Sequence, residues 1–126
     1  MLAVAAGGAV GSVARYVISV MGPQTGLSTS GFPWWTLAIN VTGSFVLGMI
    51  ARYFAAVSVS PELFAALTLG LCGGYTTFST FSYELLGLSE RGLWGRGLLY
   101  AAASVTLSFA AVMLGAALGR GLRAGA

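Results

Sequence analysis

The chain contains no histidine, no lysine and no aspartate. Its charged residues are six arginines and three glutamates, 7% of 126 positions, where soluble domains carry about a quarter. A single cysteine, Cys72, excludes an intrachain disulfide and most metal–thiolate sites, and it reads as a small packing residue. Without His or Asp no acid–base or nucleophile pair is visible, so an enzyme is the least expected class. The net charge of +3 is diffuse and forms no basic stripe, which argues against a nucleic-acid partner. The opening "MLAVAAGGAVGSVARY" has no basic residue ahead of its apolar run, as a secretory signal needs, and is expected to stay as a first membrane helix.

Hydrophobic residues make up 57% of the chain. A membrane helix takes about 20 mostly apolar residues, and four windows qualify: about 2–21, 34–56, 63–88 and 93–118. The connection "GPQTGLSTSGFP" is rich in turn residues, "VSVSP" offers Pro61 as a helix starter, and "SERG" reads as a tight polar turn. Trp34, Trp35 and Trp94 fall at span ends, where indoles prefer the headgroup level. The expectation is an all-α, multi-pass protein of the cell membrane, a single four-span domain over residues 1–126.

With four spans, Arg52, Arg120 and Arg123 share one side of the membrane. Arg91 and Arg96 lie on the other, joined by Arg15 if it snorkels. Arginine therefore gives almost no orientational bias. Such a chain can insert both ways and pair as an antiparallel dimer, unless one weak bias still wins. Small residues spaced by four, Gly7 with Gly11, Ser44 with Gly48, Gly70 with Gly74 and Gly115 with Gly119, suit close helix contacts and favour an oligomer.

Polar residues at membrane depth are costly and default to functional readings. Thr36, Asn40 and Ser44 share one face of the second span, and Tyr100, Ser104 and Ser108 one face of the fourth. Asn40 reads either as interhelical glue or as a donor lining a polar path. Arg15 reads either as an anchor or as positive potential at a vestibule. The run "GGYTTFSTFSYE" is a poor helix centre, with two adjacent glycines and two β-branched threonines. The third span is therefore expected to break near 73–77. Unwound carbonyls there can hold a cation, and irregular backbone in lipid survives only when buried or lining a cavity. Phe78 and Phe81 follow on one face; beside Ser79, Thr80 and Ser82 they either pack or offer ring edges to an anion.

"GGAVGSVARY", "LAINVTGSFVLG" and "GLCGGYTTFSTFSYE" resemble the CrcB/Fluc fluoride channels along essentially the whole chain. The resemblance implies a dual-topology antiparallel homodimer that exports fluoride passively through two pores along its interface. It implies a structural sodium ion at the dimer centre, bound by backbone carbonyls of Gly73 and Thr76 from both copies. Phe78, Phe81, Asn40, Tyr100, Ser104 and Ser108 would line the pore, with Thr36, Ser79, Thr80 and Glu84 less surely matched and Arg15 at a vestibule. Tyr75 stands where the family pattern fixes no residue. Two other readings compete. A small multidrug-type exporter needs a carboxylate deep in a span, and the first span offers only Arg15. A non-transporting assembly protein leaves the aligned polar faces unexplained.

Overall fold

The structure, a computed structural model, describes residues 1–21, 31–55, 57 and 59–124, with side chains through residue 122. Most of the turn-rich connection read at 22–33 lies outside the described residues, as do Ala56 of the second window and the side chain of Arg123. The regular elements described are all helical: α1 (Leu2–Met21), α2 (Trp34–Phe54), α3 (Pro61–Ala65), π1 (Ala66–Cys72), α4 (Gly73–Tyr75), α5 (Phe78–Glu90) and α6 (Trp94–Ala124). Three segments, α1, α2 and Trp94–Leu122 within α6, are each long and apolar enough to cross a membrane. The third window falls on α3 through α5, none of which spans such a distance alone. At 31 residues, α6 is about 46 Å long, longer than a hydrocarbon core of about 30 Å.

Local chemistry sets several of the ends. Ser60 caps α3 by accepting the Leu63 N–H at 3.2 Å, ahead of Pro61 in the first turn. At the other end of this region, Gly92 closes α5. Its φ of 71° is left-handed, its N–H donates to the Ser89 carbonyl at 2.9 Å, and Leu93 N–H donates to Leu88 at 2.9 Å. That pair of bonds is a Schellman motif, which satisfies carbonyls the helix would leave orphaned. Between α3 and α4 the chain winds as a π-helix, and the Gly73 amide reaches back five residues to the Thr68 carbonyl.

Packing proceeds by close backbone approach. A Cβ on Gly7 would meet the Ala66 carbonyl oxygen, one on Gly11 the Leu71 oxygen, and one on Gly74 the backbone of Gly8. So α1 lies against π1 and α4 with almost nothing between the backbones. Gly48 meets Val112, and Gly115 and Gly119 meet Phe45 and Met49, which joins α2 to α6 in the same way. The glycines of these spacings thus make contacts within one chain, whereas Ser44 lines a cleft. Phe32, Leu37, Phe81, Leu88 and Tyr100 form a buried cluster where α2, α5 and α6 meet.

Candidate functional site

Helical winding stops at Thr76, which has φ −77° and ψ 160°, and Thr77 is extended at φ −150° and ψ 115°. The Thr76 amide still completes the ladder, donating to the Cys72 carbonyl at 2.9 Å. The Thr77 amide instead donates to Asn40 Oδ1 at 2.8 Å, and Asn40 Nδ2 donates back to the Thr77 carbonyl at 3.1 Å. A side-chain carboxamide on α2 thereby stands in for a neighbouring peptide and satisfies both backbone groups of Thr77. An unsatisfied pair at membrane depth would cost several kcal/mol. One consequence falls on Gly73, because the amide that would bind its carbonyl in a continuous helix has turned to Asn40. The Thr77 hydroxyl then caps α5, accepting the Thr80 N–H at 3.2 Å.

Beside Thr76 and Thr77 opens a cleft of about 270 Å³. Its wall includes Asn40 and Ser44 of α2, Phe78 and Phe81 of α5, and Ser104 and Ser108 of α6. The two polar rows expected on the second and fourth spans therefore face one another across the same space. Ser104 is 8% exposed, and its Oγ has no hydrogen-bond partner among the described residues. Phe78 and Phe81 have ring centroids 5.5 Å apart; Phe81 is buried, whereas Phe78 is 78% exposed.

One turn further along α5, the Glu84 carboxylate accepts two hydrogen bonds, from Thr36 Oγ1 to Oε1 and from Tyr100 Oη to Oε2, each at 2.7 Å. Tyr100 is fully buried and its ring lies 5.0 Å from that of Phe81. Thr36, Tyr100 and Glu84 do not line the cleft wall; Tyr100 touches it only through the ring of Phe81. The signal for this cluster is in the two rows: Thr36 continues the row of Asn40 by one turn, Tyr100 continues that of Ser104, and both rows end on the same carboxylate. Ser79 and Thr80 belong to the first turn of α5. Thr77 Oγ1 donates to Thr80 Oγ1 at 3.0 Å and lies 3.4 Å from Ser79 Oγ. Arg15 sits on the opposite side of the break, where its Nε donates to the Gly74 carbonyl at 3.1 Å. The described residues hold no cluster of His, Cys, Asp or Glu able to bind a metal. Any cation at the break would have to use backbone oxygens. Gly73 is exposed on the single chain, and its carbonyl has been released from the helical ladder, so the donor set there fits a hard cation.

Residues 2–116 match the family described as CrcB-like protein, Camphor Resistance (CrcB). A protein of Agrobacterium fabrum named Fluoride-specific ion channel FluC is 45% identical over 120 residues, covering 94% of each chain. Proteins of the same name from Rhizobium meliloti and Rhizobium johnstonii are 46% and 48% identical, covering 97% and 94% of each chain respectively. With nearly its whole length matched both to the family and to these relatives, the chain belongs to the CrcB-like family of multi-pass membrane proteins.

Proposed function

We propose that this chain is a fluoride-selective channel of the cell membrane, letting fluoride leave passively through two pores in an antiparallel homodimer built around a sodium ion. The relatives named as fluoride-specific channels share 45–48% identity across almost all of the chain, which supports carrying that activity to it. The observation that carries the reading is the cleft itself, whose wall brings Asn40 and Ser44 of α2 together with Ser104 and Ser108 of α6. Fluoride is small and strongly hydrated, so a path for it must replace water with closely spaced donors. Asn40 Nδ2 carries two protons and spends one on Thr77, and the serine hydroxyls can rotate to donate. The ring edges of Phe78 and Phe81, which carry partial positive charge, supply the rest. Every residue on that wall is neutral. This suits passage over capture, because conduction requires weak, repeated binding.

In this reading α3 through α5 form one interrupted span. A second copy covers the exposed Phe78 and closes the open side of the cleft, and the near-balance of arginines supplies copies of both orientations. The Gly73 and Thr76 carbonyls of the two copies hold the sodium ion. Carbonyls ligate a hard cation without adding net negative charge beside an anion path. The test is ion efflux from liposomes containing the purified protein, with fluoride and chloride electrodes read together. Fast fluoride loss without chloride loss is expected. Equal loss of both ions, or loss of neither from folded protein, overturns the reading.

A further inference from the structure

The Gly74 carbonyl lies between the two carbonyls assigned to the cation, and it is held from outside. Arg15 Nε donates to it at 3.1 Å, and Ser12 Oγ, one turn earlier on α1, approaches the same oxygen at 3.4 Å. Gly74 also packs against the backbone of Gly8, so α1 supports this peptide both by contact and by hydrogen bonds. On the other side, Tyr75 Oη lies 3.0 Å from Thr42 Oγ1 of α2, and the Tyr75 ring lies over Gly43. Gly73 and Gly74 are adjacent glycines at the end of a helix, the residues with the most backbone freedom to lose. A planar peptide whose oxygen is pinned cannot rotate without breaking that bond. Fixing the peptide after Gly74 therefore restricts the torsions on both sides of it, and with them the direction of the adjoining Gly73 carbonyl; the Thr76 carbonyl shares its peptide with the Thr77 N–H and is held by Asn40.

We propose that Arg15 is a positioning residue for the cation site: by clamping the Gly74 carbonyl it sets the orientation in which the adjoining Gly73 oxygen is presented. This rests on the sodium reading given above. It differs from a purely electrostatic role for Arg15, and the two differ in sign. A guanidinium near a bound cation repels it, so removing the charge would tighten cation binding. Removing the clamp would weaken it.

The experiment is the melting temperature of the purified protein as sodium replaces N-methylglucamine at constant ionic strength, compared for wild type, Arg15→Gln, Arg15→Lys and Ser12→Ala. The readout is the sodium concentration at half-maximal stabilisation, which a general loss of stability does not move. Arg15→Gln should raise that concentration roughly tenfold, the low end for losing a group that orients a metal ligand. Arg15→Lys, which keeps the charge and one flexible donor, should raise it less. Ser12→Ala should raise it about two- to threefold, the worth of one weak hydrogen bond, and serves as the test if Arg15→Gln does not fold. An unchanged or lowered midpoint in Arg15→Gln, or unchanged midpoints in both other variants, overturns the clamp. A wild-type protein with no sodium response removes the cation site itself, a different failure.

Discussion

Asn40 is the residue on which the break depends most directly, since one carboxamide both accepts from and donates to Thr77. An aspartate there keeps an acceptor for the Thr77 amide but faces the Thr77 carbonyl with a second oxygen, and it places negative charge on the proposed anion path. Asn40→Asp is therefore expected to abolish fluoride efflux and to destabilise the fold by about 1–3 kcal/mol, the cost of leaving the half-buried Thr77 carbonyl without its donor. Efflux from liposomes and a denaturation midpoint check both parts. The two phenylalanines separate function from packing. Phe78, 78% exposed on the single chain, should lose flux as Phe78→Ile, and any change in melting temperature should come through the contact with the second copy. Phe81→Ile should lose flux and about 1–2 kcal/mol, because its ring packs on Tyr100 in the core. Full flux in either variant takes that ring out of the pore. At this scale the sequence exposed the polar rows, because a period of four on an apolar background is visible without a fold. The same rows place Thr36 and Tyr100 but not their shared partner Glu84, since the three residues come from three elements and their meeting depends on how α2, α5 and α6 pack.

Elements were legible where their signals are local. An all-helical membrane class follows from apolar windows of spanning length, and Pro61 as a helix starter and "SERG" as a turn mark helix ends that the structure shows capped by Ser60 and closed at Gly92. The π-wound turn at Ala66–Cys72 was not legible, because "ALTLGLC" carries nothing that distinguishes it from α-helical sequence. Nor was the use of the glycine spacings: small residues announce a close contact without naming the surface that makes it. The structure assigns Gly115 to the Phe45 carbonyl on α2, where a Cβ cannot fit without moving backbone. Gly115→Val is thus expected to separate α2 from α6 and destabilise the protein by about 3 kcal/mol, the upper end for overpacking. Gly95→Ala, with open space where its Cβ would stand, should change stability by no more than about 0.5 kcal/mol. Thermal denaturation of the two variants side by side decides it. Equal melting temperatures would mean that the α2–α6 seam yields at no cost.

For the whole molecule the outstanding quantity is orientation in the membrane, and the structure sharpens the charge count that governs it. Arg15 is bonded to Gly74 beside the break, which removes it from the arginines that reach a surface. Three arginines, Arg52, Arg120 and Arg123, then oppose two, Arg91 and Arg96, a difference of one. Positive-inside bias grows with the imbalance, so both orientations should be populated in cells. A cysteine in place of the exposed Val57 reports which side the connection between α2 and α3 occupies, and native Cys72 is buried and should not react. A membrane-impermeant maleimide applied to intact cells should label about half of Val57→Cys protein, and label all of it once the membrane is opened, if the bias is as weak as this count implies. Replacing both Arg120 and Arg123 by glutamine leaves one arginine against two, reverses the sign of the difference and should move the labelled fraction to the other side of one half. If every chain is labelled from one side only, an antiparallel pair cannot form, and the two-pore dimer fails even where fluoride efflux survives.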